Sequence, residues 1–220
     1  MRRLFHHNGL SIVLFALFLI FIVAQSIAGH RHYNQEQREH KQPTVTFVEY
    51  ITGNHFLEAS MENWESEFLQ MFFFIVFTVF LYQKGSAESK DPDKEEEVDK
   101  DPKKTKTKDS PSPVKKGGWR LKLYEHSLSL AFLILFLASF FLHAKGGAGD
   151  YNEEQRAHGS TETVTTMEYM ATSRFWFESF QNWQSEFLAV GLMVVLTIFL
   201  RERGSKESKP VAAAHDDSGK

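Results

Sequence analysis

Four uncharged apolar stretches constrain this chain more than anything else in it. Residues 10–28, 68–82, 128–144 and 187–200 contain no Asp, Glu, Lys or Arg. They hold 15 of the 21 phenylalanines, while the charges are packed between them. The averages, 42% hydrophobic residues and a mean hydropathy of −0.32, resemble a soluble protein only because this segregation is averaged away. A stretch needs roughly 20 mostly apolar residues to span a bilayer as a helix. The first and third stretches meet that length. The second and fourth are shorter, but each follows an aromatic amphipathic segment with a Trp, Trp64 or Trp183, four residues before the apolar run. Trp favours the membrane interface, where its ring is buried and its N–H finds a partner. Each of these is read as one long helix that begins outside the membrane and ends within it.

The start of the chain also has the form of a signal peptide, with Arg2 and Arg3 before an apolar core and Ser26-Ile27-Ala28 after it. A segment of the same kind recurs in mid-chain, where such a signal cannot act, so retention is expected. Of the 25 Lys and Arg residues, 19 fall in residues 1–9, 83–127 and 201–220. By the positive-inside rule both ends and the middle linker are cytoplasmic. The localisation expected is a multi-pass plasma (inner) membrane protein with an acidic outer face.

The chain reads as one unit written twice. Residues 33–40 and 151–158 share six of eight positions at an offset of 118. From Thr44 the offset is 119, and residues 44–90 share 22 of 47 positions with 163–209. Unrelated segments would share about one position in twenty, so this is a repeat, and it sets the architecture. Each copy carries two spans, so both insert the same way, as a parallel repeat about an axis along the membrane normal. The fold class expected is all-α: a membrane bundle of four transmembrane helices built from two hairpins, its second and fourth helices extended beyond the membrane. The first repeat covers 1–90, with spans at about 10–28 and 64–82 and an outer loop at 29–63. The second covers 119–204, with spans at about 126–144 and 183–201 and an outer loop at 145–182. Residues 91–118 and 205–220 are too polar to offset the entropy of ordering and are expected to be a disordered cytoplasmic linker and tail.

Before the second and fourth spans, Ser60, Asn63, Trp64 and Glu67 match Ser179, Asn182, Trp183 and Glu186. Their spacing is that of one helix face. Two readings stand: the face joins the two copies, small serines allowing close approach and asparagines bonding across, or it packs on the first helix of its own copy. Glu67 and Glu186 either line an outer vestibule or form a hydrated face at the interface. Inside the spans Thr78 and Thr197 are equivalent and would form an intramembrane polar pair. Thr46 and Thr165, each with a Glu three residues on, have the pattern of a capping box.

Glu36 and His40, and likewise Glu154 and His158, are spaced i, i+4 and share a helix face. If the repeat axis brings the copies together, two carboxylates and two imidazoles converge, a ligand set that suits zinc or another transition metal. The plainer reading is a solvated helix with local hydrogen bonds. With no cysteine, disulfides, thiolate metal sites and cysteine nucleophiles are excluded. A net charge of −3 argues against nucleic acid. No phosphate-binding loop, dinucleotide fingerprint, nucleophile elbow or His-Glu-x-x-His occurs, and no catalytic residue or cofactor is expected.

Asn8-Gly9-Leu10-Ser11, Ser127-Leu128-Ser129-Leu130, Tyr-Asn-x-Glu-Gln-Arg in both outer loops and Asn-Trp-x-Ser-Glu-Phe-Leu before the second and fourth spans resemble a family of small bacterial integral membrane proteins described as a domain of unknown function. The resemblance covers both copies and implies a bacterial plasma membrane and four spans. It implies no reaction, ligand or functional residue. The function expected is a non-enzymatic envelope scaffold or accessory subunit, in contact with the lipid bilayer and with a second copy or another membrane protein. The alternatives are a cation or small-solute permeation protein and an outer-face metal or ligand sensor.

Overall fold

The computed structural model describes residues 2–219, and no strand occurs among them. The long helices are α1 (Arg2–Glu39), α3 (Asn54–Phe80), α6 (Ser127–Ala157) and α8 (Ser173–Phe199). Short helices α2 (Phe47–Ile51) and α7 (Thr166–Met170) precede α3 and α8. Between α3 and α6 lie a 3-10 turn (Glu97–Asp99), α4 (Ser112–Lys116) and α5 (Gly118–Glu125).

Three helices, α1, α6 and α8, are long and apolar enough to cross a membrane. The α3 helix is not in that set, because Glu65, Glu67 and Gln70 stand among the residues that would have to fill its span. Within the outer segments 29–63 and 145–182, α1 runs on to Glu39 and α6 to Ala157. All four long helices therefore outrun their apolar stretches, not only the second and fourth.

Each of the first and third apolar stretches is preceded by a break. Asn8 leaves helical geometry inside α1 (φ −129°, ψ 15°), and its side-chain amide donates to the Leu4 carbonyl at 3.2 Å. His126 (φ −111°, ψ 10°) separates α5 from α6 at the equivalent position. Trp119 and Tyr124 on α5 are exposed beside Arg120 and Lys122, the mixture an interfacial segment carries.

The chain divides into two compact units. The first is Met1–Met61 with Phe141–Phe175. Its interior is aromatic: Tyr50, Tyr169 and Phe175 are buried. Tyr50 lies against Phe56 (5.6 Å between ring centroids) and Tyr33 (5.8 Å). Tyr169 lies against Phe175 (5.9 Å) and Tyr151 (6.2 Å). Glycine makes room for both tyrosines: a Cβ on Gly29 would sit 2.1 Å from the Tyr50 hydroxyl, and one on Gly147 would sit 2.4 Å from the Tyr169 ring. Leu10, Phe15, Ile20 and Phe21 of α1 are exposed, an apolar surface of the kind a lipid-facing helix presents.

The second unit is Glu62–Phe140 with Trp176–Lys220. Here α3, α6 and α8 meet through aromatic pairs: Phe68 with Phe132 (6.3 Å), Phe73 with Phe187 (6.0 Å), and Trp183 with Phe136 and Phe140 (6.3 and 6.4 Å). Past α3 and α8 the chain makes the same turn twice. The Ser89 hydroxyl accepts from the Gln83 N–H at 2.8 Å and the Ser208 hydroxyl from the Glu202 N–H at 3.0 Å. Gly85 (φ 85°) and Gly204 (φ 88°) supply the left-handed residue in each. Lys209 is buried in this unit, and its ammonium donates to the carbonyls of Ala214, His215 and Asp217 at 2.8–3.1 Å.

A candidate ligand-binding cavity

The first unit contains a cavity of about 660 Å³, and Glu36, His40, Glu154 and His158 all line it. Local chemistry places them there. The last turn of α1 closes with Gln42 N–H bonded to the Gln37 carbonyl (2.7 Å) and Lys41 N–H to the Arg38 carbonyl (3.1 Å). The last turn of α6 closes with Ser160 N–H to Gln155 (2.9 Å) and Gly159 N–H to Arg156 (3.0 Å). This paired pattern is a Schellman motif, and it makes His40 and His158 the C-cap residues of the two helices. The motif needs a left-handed residue next, and Lys41 (φ 58°) and Gly159 (φ 80°) provide it. The His40 N–H donates to the Glu36 carbonyl at 3.0 Å and the His158 N–H to the Glu154 carbonyl at 3.1 Å. Each imidazole therefore stands one turn beyond its carboxylate. The two rings face each other edge-on, with centroids 5.6 Å apart.

Asparagine clamps fold the chain back after each helix. Asn34 donates to the Val45 carbonyl (2.9 Å) and accepts from its N–H (2.7 Å). Asn152 does the same to Val164, at 2.8 and 2.7 Å. His30 adds a further contact to the Val45 carbonyl at 2.9 Å, where the second copy has the buried Ala148. The capping boxes follow: Thr46 and Thr165 each accept from the N–H of their Glu at 3.3 Å, and Glu49 and Glu168 accept in return at 2.7 Å. These turns fix the helix ends that wall the cavity.

Residues not singled out from the sequence complete the lining: His55, Asp150, Glu153, Arg156 and Arg174. The Arg174 guanidinium donates to Glu154 at 2.7 Å and, more weakly, to Asp150 at 3.5 Å. Asn54 donates to Glu153 at 2.7 Å. Burial pushes the Asp150 carboxyl above the usual range, a shift opposed by His55 and Arg174 and reinforced by Glu153 and Glu154. Burial raises the Tyr33 hydroxyl as well, helped by Glu153 and Asp150. The His55 ring packs on Tyr33 (5.1 Å), and its Nδ1 is buried without a hydrogen bond among the described residues. His55 and Arg174 hold equivalent positions in the two copies, so a pattern of repeated residues passed over both. The lining carries four carboxylates against two guanidiniums, a balance that favours a positively charged occupant.

None of the stripe residues lines the cavity. In the second unit Ser179 donates to Glu65 at 2.8 Å, Trp183 donates to the same carboxylate oxygen at 3.2 Å, and Asn182 donates to Glu62. The α8 stripe thus meets acidic residues of α3 that do not belong to the stripe, while the Trp183 ring also rests on α6. Asn63 and Glu67 are exposed, Trp64 and Glu186 are half-buried, and Ser60 is buried in the first unit. Thr78 and Thr197 do not bond to each other. Thr78 donates to the Ile75 carbonyl at 3.0 Å, and Thr197 is hydrogen-bonded to Ser86 at 3.0 Å.

The chain belongs to a family described as a domain of unknown function (DUF6766), whose model matches residues 1–220. No curated protein and no solved structure matches it.

Proposed function

We propose that this chain is a non-enzymatic integral membrane protein that binds a cationic ligand in the cavity of its first unit and acts by association, as an accessory subunit or sensor of a bacterial envelope. One observation carries the reading: residues 118 apart in the chain, Glu36 with Glu154 and His40 with His158, line a single acidic cavity of about 660 Å³. The helix C-termini that present them add their own partial negative charge. The apolar α1, α6 and α8 support membrane insertion. In this reading α3 is the fourth span, the internal repeat is a parallel one, and both termini are cytoplasmic, which puts the cavity on the outer face. The permeation alternative rests on the duplication, the acidic outer mouth and the pairing of Thr78 with Thr197; the two hydroxyls bond elsewhere, which supports the binding reading over it.

The test uses the full chain in detergent micelles or nanodiscs. Its melting temperature and heat of binding are measured against zinc, nickel, calcium and spermidine. At least one of these should bind saturably and raise the melting temperature, and less so in a Glu36→Gln/Glu154→Gln variant. A folded protein that none of them stabilises would remove the binding role.

A further inference from the structure

We propose that the cavity is a transition-metal site, with His40 and His158 as its imidazole ligands, Glu36 and Glu154 as its carboxylates, and Arg174 as the cation that holds Glu154 until the metal arrives. This rests on the binding role proposed above and names the ligand class.

The imidazoles decide the class. Calcium and magnesium take oxygen ligands, whereas a mixed nitrogen and oxygen set suits zinc, nickel or copper. Two histidine rings 5.6 Å apart need only side-chain rotation to address one ion. Both are exposed, so rotation meets little resistance. Their backbones are held by the Schellman hydrogen bonds of α1 and α6, so the approach of the ligands is built into the fold. Each carboxylate lies one turn before its histidine, and both helices end at the site with their carbonyl dipoles toward it, which favours positive charge there.

Arg174 explains how acidic groups stay close together without an ion. It reaches Glu154 at 2.7 Å and Asp150 at 3.5 Å. The Arg174 and Glu154 side chains are 37% and 49% exposed, and a pair that exposed contributes little, so a divalent ion can take Glu154 from it. Asp150, already 3.5 Å from Arg174, remains to receive the released guanidinium.

The experiment is a metal titration of the full chain, purified without a histidine tag. Zinc binding is measured by calorimetry and Co²⁺ binding by its visible absorption, which reports nitrogen and oxygen ligation. One ion per chain should bind. His40→Ala and His158→Ala should each weaken zinc by about tenfold or more, since even outer-shell partners of a metal cost 10–100-fold when removed. Arg174→Met should tighten it, by less than about fivefold. His6→Ala/His7→Ala, an exposed pair on α1, should change nothing. Helix content by circular dichroism guards against unfolded variants. Wild-type zinc affinity in a folded His40→Ala/His158→Ala protein overturns the proposal. So does binding of calcium or spermidine with no binding of zinc, nickel or Co²⁺, an outcome that leaves the cavity a binding site. No binding of any probe overturns both readings.

Discussion

Gly146 of α6 passes so close to Glu58 of α3 that an added Cβ would lie 2.6 Å from the Glu58 nitrogen and 2.9 Å from its Cα. The obstacle is backbone, with the Asn54 carbonyl 3.1 Å away on the same turn, so no side-chain rotation can relieve it. Gly146→Ala should cost about 1–3 kcal/mol, the usual range for overpacking. Gly191→Ala in α8 makes the contrast, because no atom lies within 4 Å of the Cβ it would add. There alanine should gain about 0.5–1 kcal/mol from helix propensity. Thermal unfolding of the two variants in the same detergent checks the pair. Equal effects of the same sign would show that α3 and α6 leave room for a Cβ at Gly146 within the first unit.

The two helix ends beside the cavity use the same turn with different residues. Lys41 sits at φ 58° and Gly159 at φ 80°. Lysine bears a Cβ penalty there that glycine does not. Lys41→Gly should therefore raise stability, and Gly159→Lys should lower it, each by about 1 kcal/mol. Melting temperatures of the two variants should move in opposite directions. Because the turn orients His40 and His158, the same variants should also alter ligand affinity at the cavity.

Two capping boxes link the walls of the cavity to pH. The Thr46 N–H holds the Glu49 carboxyl below its ordinary value, aided by the Thr46 side chain, and Thr165 does the same for Glu168. A depressed carboxyl contributes stability that is present above the unfolded value, about 4.3, and is lost as pH falls through the folded value. Acidification below about pH 4.5 should thus loosen α2 and α7, and Glu49→Gln/Glu168→Gln should flatten that part of the stability profile. Thr46→Ala, which removes the cap at any pH, should cost about 1 kcal/mol. Denaturation midpoints measured from pH 3 to pH 7 separate the two effects.

Much of this arrangement is legible in the chain. Glu36 and His40 announce a helix face by spacing, and their recurrence at Glu154 and His158 announces that the face is used twice. The capping boxes are visible as Thr with Glu three residues on. What spacing cannot carry is the asymmetry between the copies. His55 and Arg174 are equivalent in position and opposite in role: one packs on Tyr33 with a buried nitrogen, the other bridges Glu154 and Asp150. Asp150 matches nothing similar, since its counterpart is His32. The stripe is legible only in part for the same reason: its Ser179 and Trp183 do meet the other copy's α3, but at an acid off the stripe. Spacing marks the face but not its partner, Glu65, whose counterpart is Gln184. A carboxylate accepts two such bonds more readily than an amide, so one copy's acid serves the other copy's donors.

Glu65 gives the sharpest test of the second unit. It is fully buried on α3, accepting from the Ser179 hydroxyl and the Trp183 indole. Glu65→Leu strands both donors, and a buried donor without an acceptor costs about 1–3 kcal/mol. Interhelical hydrogen bonds in membrane proteins average nearer 0.6 kcal/mol, so a total loss of about 1–3 kcal/mol is expected. Glu65→Gln keeps a carbonyl oxygen in place and should lose less. The measurement is unfolding of the full chain in mixed micelles, followed by Trp183 fluorescence after Trp64, Trp119 and Trp176 are replaced by Phe. A double-mutant cycle with Ser179→Ala should be non-additive, because the two residues share one bond. If Glu65→Leu proves as stable as Glu65→Gln, or if its effect simply adds to that of Ser179→Ala, the carboxylate does not hold α3 to α8 within this unit.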